Sequence, residues 1–178
     1  MDKKLSIRYI TLSAMLIAMS VAIGIFCKSV LNFGGGLFRI TFENLPIILS
    51  GVIFGPAMGA TVGLASDVIS YLLSGQSYPL NVVVTLGAVS VGLVSGIVSR
   101  FIIKKRGNLQ IAVSAAAAHI VGSMIIKPIG LYAFYGIAVL WRIPLYLVIA
   151  PIEILIMCLL YSKSGFRRLV DEYGRDKK

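Results

Sequence analysis

Short polar breaks divide this chain into six apolar stretches, each close to the roughly 17–25 residues that a helix needs to cross a bilayer. They run from about Ile7 to Cys27, Phe38 to Phe54, Ala57 to Leu73, Asn81 to Ile103, Leu109 to Ile126 and Ile143 to Tyr161. What remains is too small for a soluble domain with its own core. The predicted fold is therefore an all-α membrane protein, with six transmembrane helices in one domain over residues 1–178. Composition agrees: 13% of residues are charged, against about a quarter in soluble domains, so much of the surface must face lipid. The first stretch follows Lys3, Lys4 and Arg8, like the basic start of a signal peptide. Its apolar run is longer than a signal core, so it is expected to stay as a mature helix.

The breaks have their own chemistry. Gly55-Pro56 is a turn signal, Ser74–Pro79 is a polar loop, and Lys104-Lys105-Arg106-Gly107 ends the fourth stretch. Between Lys127 and Arg142 an aromatic-rich segment reads either as an interfacial loop or as a helix extension. A charged tail follows Tyr161.

Orientation follows from Lys and Arg in the short loops. With the N-terminus inside, thirteen of the 17 cations lie on the cytoplasmic side. Only Lys28, Arg39, Lys127 and Arg142 lie outside. The expected topology is N-in, C-in. The net charge of +10 does not point to nucleic acid, because the cations alternate with apolar runs instead of forming one basic face. Cys27 and Cys158 fall near opposite membrane surfaces, too far apart for a disulfide.

Charges inside a span cost about 2.5–3.5 kcal/mol each at the helix centre, so those present call for a reason. Glu43 follows Arg39 by one turn, Asp67 lies deep in the third span with Tyr71 one turn beyond, and Glu153 lies in the sixth. His119, Ser123 and Lys127 recur every four residues on the fifth. One reading pairs these charges to fix helix packing: Arg39 with Glu43, and Asp67 and Glu153 with neighbours. The other is an outward-facing pocket with excess positive charge, suited to a small organic anion bearing carboxylates. Candidate contacts are Arg39, Glu43, Asp67, Tyr71, Tyr78, His119, Lys127 and Arg142. The aromatic residues Phe38, Tyr71, Tyr78, Tyr132, Tyr135 and Trp141 serve either as an interfacial belt or as stacking surfaces for a flat ring. The triplet Gly34, Gly35 and Gly36 is a linker or a lid over the pocket. Ala14, Ala18 and Ala22 form a small-residue stripe that lets helices approach closely, within the bundle or against a partner.

Enzyme signatures are missing. One His, no paired metal ligands and no Walker-type phosphate loop point to a chain that is not an enzyme and carries no cofactor or metal. With no ATP site, uphill transport would require an energising partner or an ion gradient. An independent ion-coupled transporter should show internal repeats or broken paired helices, and neither is evident.

Three segments carry a resemblance: FRITFENLPIILSGVIFGPAMGATVGLASD at Phe38–Asp67, SGQSYPLN before the fourth span, and WRIPLYLVIAPIEI at Trp141–Ile154. With the alanine stripe, they resemble the substrate-binding S components of energy-coupling factor (ECF) vitamin transporters along nearly the whole chain. The Arg39-Ile40 start, the Gly55-Pro56 turn, Arg142-x-Pro144 and Pro151-x-Glu153 look most like the folate-specific branch. The resemblance implies a six-helix fold in a bacterial plasma membrane that captures the vitamin with high affinity from outside. It also implies docking through the alanine stripe onto a transmembrane coupling subunit that works with two ABC-type ATPases. Arg39 and Arg142 are then expected at the glutamate tail of folate, and Asp67 at the pterin. Riboflavin or pantothenate remain alternative ligands within the same family.

Overall fold

The computed structural model describes residues 3–33, 38–73, 81–103 and 107–175. Helix α1 (Lys3–Val30) has 28 residues, about 42 Å at 1.5 Å per residue. It overruns the expected first stretch at both ends. Two-residue strands β1 (Asn32–Phe33) and β2 (Phe38–Arg39) then pair antiparallel, a small departure from the all-helical expectation.

The second stretch is the main correction. It was expected as a helix from Phe38 to Phe54, but only α2 (Asn44–Phe54), 11 residues, is helical. Pro46 explains the late start: its ring would clash with the Phe42 carbonyl in a helix running further upstream, whereas a first-turn Pro is tolerated. Residues 40–42 have no regular structure, and Glu43 is a turn. All eleven residues of α2 are buried. Non-helical backbone at membrane depth is tolerated only where protein surrounds it or it lines a cavity, and this segment meets that condition.

Helix α3 (Pro56–Leu73) follows Gly55, whose φ of 94° lies in the left-handed region that glycine enters freely. Helix α4 (Val82–Ile97) begins at Asn81, whose Oδ1 accepts from the Val83 and Val84 amides at 3.0 and 3.3 Å. It ends in a π turn over Val98–Ile102. Helix α5 (Asn108–Ala118) widens into a π segment, His119–Ile126, and continues as α6 (Lys127–Tyr135). The aromatic segment after Lys127 is thus a helix extension. A 3₁₀ turn, Gly136–Trp141, leads to α7 (Arg142–Ser162). The expected charged tail is in fact α8 (Ser164–Arg175). Its Phe166, Leu169 and Val170 pack on the core, while Arg167, Arg168 and Glu172 are exposed.

Successive elements run antiparallel. Ser20 of α1 donates to the Glu43 carbonyl just before α2, and the Tyr9 ring near the start of α1 lies 5.2 Å from that of Phe54 at the end of α2. Gly59 of α3 meets Gly92 of α4 so closely that a Cβ on either would strike the other's carbonyl oxygen. This is the small-residue packing used where backbones must approach without a hydrophobic drive. One end of the bundle collects Arg8, Arg100 and α8, with Arg8 3.9 Å from Glu172. Four helical stretches are long and apolar enough to cross a membrane: Ile7–Val30, Pro56–Leu73, Val82–Ile102 and Asn108–Ser162. The last has 55 residues, more than twice a bilayer core if straight, and it reverses near Gly136, where φ is 55°. Large apolar side chains such as Met15, Phe26, Leu86, Phe101, Leu147 and Leu155 are exposed along these helices. That surface is far more apolar than a monomeric soluble protein presents. The chain is a multi-pass membrane protein.

Candidate functional site

The irregular run before α2 brings Glu43 into the bundle. Its backbone carbonyl accepts from Ser20 Oγ at 2.7 Å, seven residues before Cys27 on α1 and so about 10 Å below that end of the apolar stretch. Thr41 Oγ accepts from the Glu43 amide at 3.3 Å, which holds the chain as it turns into α2. Around Glu43 lies a small cavity lined by Ser20, Ile47, Ser66, Asp67, Ser70, Ala88 and Lys127 as well. Its open volume is about 10 Å³, space for about one water.

Each charge at the cavity has a polar neighbour. Lys127 Nζ donates to Asn44 Oδ1 at 2.9 Å and stands 3.6 Å from Glu43 Oε1. Thr85 Oγ donates to Asp67 Oδ2 at 2.7 Å. At the rim, Lys28 Nζ donates to Ser70 Oγ at 3.0 Å. Lys127 is buried even though it is a cation. It occupies the junction of the π segment and α6, and its amide closes the last π bond onto the Gly122 carbonyl. Pro128 follows, and because it has no N–H the backbone ladder is interrupted where the π segment ends. Such π insertions occur mostly at functional positions.

A second polar group lies deeper. His119 Nε2 is 2.6 Å from Glu153 Oε2, with both side chains fully buried. The contact is an ion pair by distance, but the ring N–H is not aligned as a hydrogen bond, and Glu153 Oε1 meets no donor among the described residues. His119 Nδ1 lies 3.5 Å from Ser123 Oγ, which accepts from Asn44 Nδ2 at 3.3 Å. Asn44 thus joins the buried pair to Lys127.

Of the residues expected from the sequence, Glu43, Asp67 and Lys127 meet at the cavity. His119 does not line it and reaches it only through Ser123 and Asn44. Tyr71 is half-buried one turn beyond Asp67 on α3, outside the lining. Arg142 starts α7 with its guanidinium 5.9 Å from the centre of the Tyr135 ring, also away from the cavity. Tyr78, the triplet Gly34–Gly36 and the Arg39 side chain lie outside the described residues. Among the described residues, Lys127 faces Glu43 and Asp67 at the cavity, and Lys28 reaches its rim at Ser70. Glu153 faces His119 and does not line the cavity. Ala14, Ala18 and Ala22 are all exposed on α1. Sequence reasoning missed Asn44, Ser20, Ser66, Ser70 and Thr85, neutral residues whose only signal is a polar atom inside an apolar run.

The fold is similar to that of FolT bound with folic acid, with a TM-score of 0.65 at 22% identity over 84% of this chain and 88% of that one. An uncharacterized protein of Mycoplasma pneumoniae, the MG098 homolog, is 31% identical over 110 residues. That match takes in 56% of this chain and 22% of the relative, so the chain spans about a fifth of the relative's length. The family model described as ECF transporter, substrate-specific component, matches residues 8–165. The chain belongs to the substrate-specific components of ECF transporters.

Proposed function

We propose that this chain captures folate from outside the cell with high affinity, as the substrate-specific subunit of an ATP-driven vitamin importer. The observation that carries the reading is the meeting of Glu43, Asp67 and Lys127 at one cavity between the helices, in a fold like that of a protein seen with folic acid. Folate offers a carboxylate-bearing glutamate for a cation such as Lys127. Its pterin offers donors and acceptors for groups such as Asp67 and Thr85. Arg39, Tyr71, Tyr78 and Arg142 are further candidate contacts nearer the outer rim. The present cavity holds about one water, so the ligand enters by parting contacts such as Lys127–Glu43.

The same reading gives six crossings, N-in and C-in, in a bacterial plasma membrane. The second crossing joins the extended run before Asn44 to α2, since 11 helical residues cover only about 17 Å. The end carrying Arg8, Arg100 and α8 faces the cytoplasm, in line with the positive-inside rule. A transmembrane coupling subunit docks on the exposed Ala14, Ala18 and Ala22 face of α1, and two ABC-type ATPases supply the energy. Equilibrium binding of the purified chain to folic acid, riboflavin, pantothenate and thiamin tests the assignment. Tight binding to folic acid alone supports it. Tight binding to another vitamin, with none to folic acid, overturns the folate branch and leaves the family intact.

A further inference from the structure

Burying both His119 and Glu153 in the middle of an apolar bundle is costly, and a buried ion pair often contributes less stability than apolar residues of the same volume. The pair does not line the cavity, so ligand contact does not account for it. What it does have is a continuous line of polar atoms leading outward. Glu153 Oε2 to His119 Nε2 is 2.6 Å, His119 Nδ1 to Ser123 Oγ is 3.5 Å, Ser123 Oγ to Asn44 Nδ2 is 3.3 Å, and Asn44 Oδ1 to Lys127 Nζ is 2.9 Å. All five residues are buried.

Each link constrains the next. The Glu153 carboxyl group, 2.6 Å from Nε2, fixes which edge of the His119 ring faces α7. Ser123 Oγ then meets Nδ1 on one side and still has a lone pair for the Asn44 amide nitrogen. With its nitrogen engaged by Ser123, Asn44 must turn Oδ1 toward Lys127. The ammonium is thereby held at the start of α2, where the positive end of the helix dipole would otherwise repel it. A ligating side chain is often oriented by partners that do not touch the ligand.

We propose that Glu153 and His119 are positioning residues: through Ser123 and Asn44 they fix the side chain of Lys127 in the cavity, without touching the ligand. The inference rests on Lys127 as the cation that meets the ligand, but not on which vitamin that is. It also makes Asn44 a two-sided joint whose amide orientation carries the coupling.

The chain has one histidine, so protein labelled with ¹⁵N-histidine gives the imidazole signals of His119 alone. In the ligand-free protein, Lys127→Met and Asn44→Leu are each expected to move the His119 ¹⁵Nδ1 resonance, although Lys127 is three links away. Unchanged His119 signals in Lys127→Met, with the fold intact by thermal unfolding, overturn the proposal without any ligand being involved. The second arm uses whichever vitamin of the binding panel is held. Glu153→Leu is expected to weaken binding by about tenfold, the lower end of what a hydrogen bond from a well-placed Lys127 to a ligand carboxylate contributes. Glu153→Gln, which keeps an acceptor for His119, is expected to restore most of it. A folded Glu153→Leu protein that binds as tightly as the parent makes the pair purely structural and overturns the proposal. If folic acid fails to bind, the folate reading falls while the nuclear resonance arm still decides this one.

Discussion

The Lys127 ammonium stands 2.9 Å from Asn44 Oδ1 and 3.6 Å from Glu43 Oε1, so one cation faces the two residues that begin α2. Its position opposes the dipole of that helix, and the two oxygens offset the repulsion. On the proposed reading, an incoming carboxylate meets a cation that is already buried. Lys127→Met should therefore weaken binding of the vitamin by at least about tenfold, since hydrogen bonds to charged groups are worth roughly 1.5–3 kcal/mol. Isothermal titration calorimetry compares the affinity of parent and variant directly.

The other end of α2 is held by Arg100, whose Nη2 donates to the Phe54 carbonyl at 2.8 Å. Arg100→Ala leaves that acceptor inside the bundle without its charged donor. Thermal unfolding in detergent should show lower stability, by about 1.5–3 kcal/mol. Gly55→Ala should act in the same direction, because its φ of 94° disfavours any Cβ and the added carbon would strike the Arg100 guanidinium.

Gly59 and Gly92 set the distance between α3 and α4. Gly92→Val places side-chain carbon against the Gly59 carbonyl and should destabilise by about 1–3 kcal/mol or more, the usual range for overpacking. Because Asp67 and Thr85 sit on these two helices and share a 2.7 Å hydrogen bond, ligand affinity should fall with the packing. Size-exclusion chromatography together with binding measures both effects.

Ala14 and Ala18 are exposed on α1 and contribute nothing to the cavity lining. Ala14→Trp with Ala18→Trp should leave vitamin binding by the isolated chain unchanged while abolishing uptake in cells that supply the coupling subunit and ATPases. Normal uptake with an intact complex would remove the docking role.

Topology can be read by labelling. In a protein with Cys27 and Cys158 replaced, Ser29→Cys should react with a membrane-impermeant maleimide in intact cells. Ser164→Cys, at the start of α8, should react only after the cells are opened. The reverse pattern would invert the proposed orientation.

Much of the architecture was legible because a bilayer imposes a length on every apolar run, and turn signals such as Gly55-Pro56 mark where runs end. The half-length α2 was also written in the sequence, at Pro46, but hydropathy is blind to it: Phe38–Phe54 is apolar enough whether or not it is helical. The tail after Tyr161 looked like solvated charge because its apolar residues, Phe166, Leu169 and Val170, are few and appear only at helical spacing. At the site, the formal charges Glu43, Asp67 and Lys127 stood out against the apolar background, yet their partners did not. Asn44, Ser20 and Thr85 are unremarkable in composition, and what makes them matter is a set of contacts between different helices.

The cavity's own polar pairs also set what can enter it. Lys127 is already matched to Glu43, and Asp67 to Thr85, so a bare inorganic anion that took the lysine would leave the Glu43 carboxylate without that cation and gain little. A guest offering donors on one part and carboxylate on another can satisfy both halves of the exchange at once. The resting protein is in this sense its own competitor.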